Sequence, residues 1–202
     1  MCSNTTSDEE TKALEGYRNR VYLLGSICLE FSVTEALLHD LVQRLSGMED
    51  RLHQAIFSGL RCEAAMAQIR RLLEVNDKPT DLYDETFKQL KTILEARNLI
   101  LHHGLTSSNI YPDLVATNSR LALSRERERA IPFTTEVLEG LLHNTNKVNA
   151  HLSRELCHLA PDRHVPLAGE FLQAAWHDIP PPQSTAEDAW RRQNALRVQE
   201  NN

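Results

Sequence analysis

Residues Glu95 to Gly104 read EARNLILHHG, and this stretch places an Arg-Asn pair and two histidines at the end of a helix. Upstream of it the apolar residues recur in steps of four and three, which places them on one face of a helix. The face consists of Tyr83, Phe87, Leu90, Leu94, Arg97 and Leu101. Arg97 is its only polar member, and a guanidinium buried without a partner costs several kcal/mol, roughly. We therefore expect Arg97 to have an anionic partner or a functional role.

Composition places the chain among ordinary water-soluble proteins. It has 202 residues, of which 41% are hydrophobic and 25% are charged, so one sizeable core with appendages is expected. The formal net charge of −6 and the pI of about 5.8 predict no broad basic surface for nucleic acid or an anionic membrane. The four cysteines form no CxxC pair. With no signal-peptide pattern and no uninterrupted apolar run of about eighteen residues, we expect a cytoplasmic protein without a membrane partner.

A long first helix is predicted from about residue 11 to Ser46, where Ser46 and Gly47 end the pattern. Its apolar face again follows steps of four and three. The face consists of Tyr17, Val21, Leu24, Cys28, Phe31, Glu35, Leu38, Val42 and Leu45. Glu35 is the only charged residue on it. Two helices that each place one opposite charge on an apolar face predict a buried ion pair between Glu35 and Arg97.

Three further helices are predicted by the same periodicity. The second covers residues 49–75 and is expected to bend near Ser58 and Gly59. The third begins at Thr80 or Asp81 and ends at Gly104. The fourth begins at Thr134 to Glu136 and ends before Pro161. The fold class expected from these elements is all-α.

Residues 105–133 lack a helical period and are expected to form a short β-hairpin or extended arm between the third and fourth helices. Leu114–Thr117 and Arg129–Phe133 have the composition of short strands. The domain organisation predicted is therefore a flexible tail over residues 1–10, a helical domain over 11–160 with the 105–133 insertion, and a proline-containing extension over 161–202.

The insertion contains the sequence SRERER at positions 124–129. In an extended chain Arg125, Arg127 and Arg129 would point to one side, where they could contact RNA phosphates. The two intervening glutamates reduce the local positive field, and a solvated strand of mixed charge is the simpler interpretation.

The motif RNLILH, Arg97 to His102, resembles the signature of the HEPN domains, the higher eukaryotes and prokaryotes nucleotide-binding family. In that signature an Arg, often followed by a polar residue, precedes a His by about four to six residues. Phe31 to Glu35 also resembles the family's F-x-x-x-E element in a long first helix. The resemblance covers roughly residues 10–159. It implies a four-helix up-down bundle, a homodimer and, in many members, a metal-independent endoribonuclease.

The resemblance implies a catalytic site made of Arg97, Asn98 and His102, and His103 also lies within the permitted spacing. A histidine exchanges protons near neutral pH, and a guanidinium stabilises charge on phosphoryl oxygens. On one helix Arg97 and His102 stand about 140° apart, so a fraying helix end or a second copy would be needed to bring them together. The function expected is an RNA-cleaving toxin or phage-defence enzyme, with an inhibitory protein partner and no cofactor.

Other interpretations stay open at this point. Arg97 and Glu35 could form a structural ion pair in a noncatalytic dimerisation or nucleotide-sensing module, and the histidines could be helix-terminal residues favoured by the macrodipole. The protein could also be an adaptor that presents its proline-containing extension to a partner. Glu35 with His39, and His151 with Cys157 and His158, lack further ligands at recognised spacing, so no metal site is predicted.

Overall fold

The structure of the protein, a computed structural model, describes residues 5–103, 105–107, 114–118, 129–159 and 169–180. The chain is mostly helical, as predicted. The helices are α1 (Thr5–Ser46), α2 (Asp50–Phe57), α3 (Cys62–Val75), α4 (Asp84–His102), α5 (Thr135–Leu159) and α6 (Gly169–Gln173), and a 3-10 turn (Asp81–Tyr83) precedes α4. The segment predicted as one bent helix over 49–75 is two helices, because the chain leaves helical geometry between Ser58 and Arg61.

A small antiparallel sheet lies between α4 and α5 in the chain. Its strands are β1 (Leu105–Ser107), β2 (Leu114–Thr117) and β3 (Ala130–Pro132), in the order β1-β2-β3. The register pairs Thr106 with Val115 and Ala116 with Ile131. The two predicted strands are confirmed, and their antiparallel pairing is that of the predicted hairpin. The three-residue strand β1 was not predicted, because so short a segment is specified by its partner strand and not by its own pattern.

The chain divides into two compact units. One, called unit 1, comprises Met1–Val21, Thr92–Gly140 and Asp178–Asn202; the other, unit 2, comprises Tyr22–Lys91 and Leu141–His177. Among the described residues of unit 1, most of the buried side chains lie in the end of α4, in the sheet and around the start of α5, and Ile179 is buried as well. The buried side chains include Ile93, Ala96, Leu99, Ile100, Ala116, Ile131, Phe133 and Leu138. The start of α5 is capped by Thr134, whose Oγ1 accepts a hydrogen bond from the Val137 N–H at 3.3 Å.

The core of unit 2 is formed by side chains of α1, α3, α4 and α5. The largest wholly buried ones are Ile27, Phe31, Leu38, Leu41, Ile69, Phe87, Leu90, Leu141 and Leu152. A polar contact fixes α5 against α1 within this core: the Thr34 hydroxyl donates to Asn149 Oδ1 at 2.6 Å. Asn149 Nδ2 in turn donates to the Glu30 carbonyl at 3.0 Å. Because both Thr34 and Asn149 are buried, these hydrogen bonds specify how the two helices meet.

The buried face of α1 differs from the predicted one. Phe31, Leu38, Val42 and Leu45 are buried, but Tyr17 is 53% exposed. A repeat with steps of four and three drifts by about 20° per heptad on a straight helix, so the predicted line leaves the core towards the N-terminus. Leu23, Ile27 and Thr34 are buried in its place.

Glu35 is exposed, so the expectation that it is a buried charge is wrong. Thr34 occupies the buried position of that helical turn. The desolvation penalty that motivated an ion pair with Arg97 therefore does not act on Glu35. The pair itself stays a prediction.

Helix α1 is also the candidate for a membrane span among the described residues. Within Thr11–Ser46 an 18-residue window has a mean hydropathy of 1.6, and 33% of that window is buried inside the protein. Length and composition alone support this assignment, and the core helix of a soluble protein meets the same criterion. The cytoplasmic location stays an expectation.

Candidate functional site

The last turns of α4 bring three residues of the stretch EARNLILHHG onto one side of the helix. Glu95, Leu99 and His103 follow each other at intervals of four, and Asn98 lies beside them. The His103 N–H donates to the Leu99 carbonyl at 3.2 Å, which continues the helical hydrogen bonding to His103. Leu99 is buried and anchors this side of the helix, whereas Glu95 and Asn98 are exposed.

Asn118 and Arg129 hold the ends of β2 and β3 together. The Asn118 N–H donates to the Arg129 carbonyl at 3.2 Å, and the Arg129 N–H donates to Asn118 Oδ1 at 2.6 Å. These two bonds extend the pairing of β2 with β3 by one residue on each strand. The backbone of Arg129 is therefore fixed although its side chain is exposed.

A cavity of about 320 Å³ joins the two groups within unit 1, and it is lined by Glu95, Asn98, Leu99, His103, Asn118 and Arg129. This volume falls within the range of small-molecule sites, roughly 300–1,000 Å³. The lining combines a carboxylate, an imidazole, a guanidinium and two amides over one buried leucine. Such a set contains two groups for proton transfer and a cation for an anionic substrate.

His103 is the half-buried histidine of this cavity. Its Nδ1 atom is buried and makes no hydrogen bond within the described part of the chain. A buried ring nitrogen without a partner loses its hydrogen bond to water, which costs roughly 1–3 kcal/mol. A ligand in the cavity is one way in which that hydrogen bond would be restored.

The other site residues predicted at the end of α4 lie outside the lining of the cavity. Arg97 is half-buried, and its Nη1 donates to Asn98 Oδ1 at 3.3 Å, so it contacts a residue that lines the cavity. His102 is exposed. Glu35 belongs to unit 2.

The arginine row is described only at its last member. Arg125 and Arg127 lie outside the described residues, whereas Arg129 lines the cavity together with the predicted site residues Asn98 and His103. The prediction that Arg129 contacts RNA is not tested by this placement.

Comparison of the chain with protein-family models, with curated proteins and with solved structures found no match. The chemistry of the site therefore depends on the residues that line it.

Three residues of the cavity were not predicted from the sequence: the buried Leu99 and the polar residues Glu95 and Asn118. Glu95 lies eight positions before His103, and the helical repeat of the quoted stretch would have shown that both share a side of α4. Asn118 carries no such signal, because its position depends on the pairing of β2 with β3.

A second cavity, of about 240 Å³, lies in unit 2 between the end of α1 and α2. Its lining includes His39, Asp40, Asp50 and His53, and His53 is the only residue of α2 that is buried. Burial lowers the pKa of His53, and the neighbouring His39 lowers it further, against the opposing effect of Asp40 and Asp50. The two carboxylates make this cavity a poor site for phosphate.

Within the described ranges no group of three or more His, Cys, Asp or Glu side chains is arranged to hold a metal ion. The side chains of His39, Asp40, Asp50 and His53 in the second cavity form no such group either. The sequence-based expectation of a metal-free site therefore stays an expectation for the whole chain.

Proposed function

We propose that the protein is a metal-independent endoribonuclease whose site is the cavity at the end of α4. The observation that carries the proposal is that one cavity is lined by Asn98 and His103 of the signature stretch and by Arg129 of the arginine row. Glu95 adds a carboxylate to the same lining. An RNA phosphate is the ligand that a guanidinium, an imidazole and amide donors favour in combination.

The reaction follows from the proton chemistry of the two titratable groups. One of Glu95 and His103 accepts the proton of the ribose 2′-hydroxyl, whose oxygen then forms a bond to phosphorus. The other donates a proton to the 5′-oxygen as the bond between that oxygen and phosphorus breaks. The products are a 2′,3′-cyclic phosphate and a 5′-hydroxyl, and no water is consumed in this step.

Arg129 and Asn98 stabilise the negative charge that develops on the phosphoryl oxygens. Arg97 positions Asn98 through the hydrogen bond from its Nη1 to Asn98 Oδ1. That bond leaves the Asn98 amide hydrogens available for a phosphoryl oxygen, because the side-chain oxygen is the atom engaged by Arg97. DNA lacks the 2′-hydroxyl and is expected to be inert.

The fold and setting proposed with this activity are those implied by the resemblance to HEPN domains. The helices form a four-helix up-down bundle, and two copies associate as a homodimer in which each contributes a site. The setting is a toxin or phage-defence system with an inhibitory protein partner and a cytoplasmic location. Glu35 would support the bundle from the exposed side of α1.

The test is cleavage of a mixed-sequence RNA in the presence of EDTA. The variant His103→Ala is expected to lose at least about 100-fold in rate, the range of one general acid or base. Arg129→Ala is also expected to lose about 100-fold or more, the range of one group that stabilises transition-state charge. His102→Ala is the matched control, because His102 is the neighbouring histidine and is exposed, and it is expected to keep the wild-type rate.

Two results would contradict the proposal. One is a wild-type protein that does not cleave RNA under these conditions. The other is cleavage that survives in His103→Ala and is lost in His102→Ala, which would move the chemistry out of the cavity. A substrate with a single 2′-deoxy nucleotide at the cleaved position checks the role of the 2′-hydroxyl.

A noncatalytic dimerisation module is the second candidate, and one observation favours it. Within unit 2, helix α1 carries three large hydrophobic side chains that are exposed on one side of the helix. They are Tyr22, Leu29 and Val33, with exposures between 42% and 72%. An exposed apolar stripe on one helix is typical of a surface that associates with another protein chain.

A further inference from the structure

The chain segment after α6 is held against α5 by hydrogen bonds to its backbone, all within unit 2. Lys147 Nζ donates to the Ala174 carbonyl, and His143 Nε2 lies 3.1 Å from the Ala175 carbonyl oxygen. Three side chains of α5, at positions 143, 144 and 147, therefore contact the main chain of residues 174–177. Residues 174–177 are called the strap.

Asn144 makes the contact that is most specific for a peptide backbone. Its Nδ2 donates to the His177 carbonyl at 2.9 Å, and its Oδ1 accepts from the His177 N–H at 2.8 Å. One amide side chain thus satisfies both backbone groups of one residue, as a neighbouring strand would. Asn144 has no exposed surface, so its geometry is set by α5 and not by solvent.

The His177 ring of the strap lies 4.3 Å from the His143 ring of α5, measured between centroids, and Trp176 contacts two further side chains of α5. The Trp176 ring stacks on the His151 imidazole, with 5.8 Å between ring centroids and 18° between planes. The Lys147 ammonium lies 4.6 Å from the centroid of the same ring. Lys147 is only 5% exposed, so this cation–π contact is largely desolvated and correspondingly strong.

The two sides of this contact differ in burial. The receptor residues Asn144 and Lys147 are buried, whereas Ala175 and His177 of the strap are exposed and Trp176 is half-buried. Helix α6, just before the strap, has no buried residue. A segment that belongs to the core buries its own side chains, whereas a bound peptide is recognised through its backbone and one or two anchors.

We propose that this face of α5 is a peptide-recognition groove that takes an extended segment of a partner protein with an aromatic anchor, and that the strap occupies it in cis. Backbone recognition by Asn144, Lys147 and His143 tolerates different sequences. The contacts of Trp176 with Lys147 and His151 select the aromatic residue. The groove belongs to unit 2, and the proposed ribonuclease site belongs to unit 1.

The test uses the full chain and a fluorescein-labelled peptide of residues 169–177, GEFLQAAWH, followed by fluorescence polarisation. In the wild-type chain the strap competes with the peptide at an effective concentration on the order of 1 mM. In the Trp176→Ala chain the strap has lost its anchor. The peptide is therefore expected to bind this variant at least about ten-fold more tightly than it binds wild type.

Specificity is checked in the Trp176→Ala background. Adding Asn144→Ala is expected to weaken peptide binding by about ten-fold or more, since two hydrogen bonds are lost. Adding Asn146→Ala is the matched control, because Asn146 is an asparagine of the same helix that is only partly buried. That control and the parent variant are expected to bind the peptide equally.

Three results would overturn the proposal. The first is the absence of saturable peptide binding to Trp176→Ala up to about 1 mM peptide. This concentration is about the effective concentration of the strap at the groove. The second is binding that Asn144→Ala leaves unchanged. The third is loss of helical circular dichroism in Trp176→Ala, which would make Trp176 a part of the core.

Discussion

The hydrogen bond between Thr34 and Asn149 offers the sharpest test of how α1 and α5 are joined. Asn149 is 8% exposed and makes three polar contacts: Thr34 Oγ1 at 2.6 Å, the Glu30 carbonyl at 3.0 Å and Glu30 Oε2 at 3.1 Å. Substituting Asn149→Ala removes all three. At about 1 kcal/mol for each hydrogen bond, the free energy of unfolding is expected to fall by about 3 kcal/mol.

Thr34→Val tests the other end of the same bond. It leaves Asn149 Oδ1 buried without its donor, which is expected to cost about 1–3 kcal/mol. The Thr34 hydroxyl has one proton, and the 2.6 Å contact with Asn149 is shorter than its 3.1 Å contact with the Glu30 carbonyl. Each single substitution breaks the same hydrogen bond between Thr34 and Asn149. The free energy of unfolding of the double variant is therefore expected to fall by about 1 kcal/mol less than the sum of the two single effects.

Urea denaturation followed by circular dichroism measures these differences. Ser32→Ala is the matched control, since the Ser32 hydroxyl also donates to a carbonyl four residues before it, at 3.0 Å, but is exposed. It is expected to change the free energy of unfolding by less than about 0.5 kcal/mol. The reasoning is refuted if Asn149→Ala costs no more than Ser32→Ala, or if the effects of Thr34→Val and Asn149→Ala add without coupling.

Two further predictions concern His53 and the exposed face of α1. Because burial lowers the pKa of His53 below 6.5 in the folded protein, the unfolded chain binds more protons below that pH. The free energy of unfolding should therefore fall as the pH drops through 6.5. Urea denaturation at several pH values should show a weaker dependence of this free energy on pH in His53→Gln than in the wild type. An equal pH dependence in His53→Gln and in the exposed-site control His158→Gln would contradict the prediction. Leu29, at 66% exposure, lies on the apolar stripe of α1, so Leu29→Glu should shift sedimentation from dimer to monomer, while Glu15→Gln, an exposed polar change on the same helix, should not. A monomeric wild-type protein would disprove the homodimer.

Local sequence signals predicted most of the helix and strand positions. The run from Thr135–Leu159 ends before Pro161, as the proline required, and its start is capped by Thr134. β2 and β3 were recognised by their short β-branched composition. Such signals depend on residues close in the chain, so they are readable without the fold.

The choice of buried face was decided by packing. Leu23 and Ile27 are buried, whereas their neighbours Leu24 and Cys28, which the repeat predicted, are only half-buried. The predicted positions Tyr17 and Glu35 are exposed. On α2 the apolar side chains of Leu52 and Ile56 are 52% and 55% exposed, whereas His53 is buried. A repeat identifies a possible face, but the neighbouring elements determine which side of the helix they cover.

The stretch EARNLILHHG by itself determined that polar and titratable side chains gather at the end of α4. Only the tertiary structure decided which of them share a cavity: His103 and Asn98 line it with Arg129, whereas His102 and Arg97 do not. The reason is that one wall of the cavity comes from the pairing of β2 with β3, which places Arg129 through hydrogen bonds with Asn118. Contacts between residues distant in the chain are set by the fold, and no local pattern specifies them.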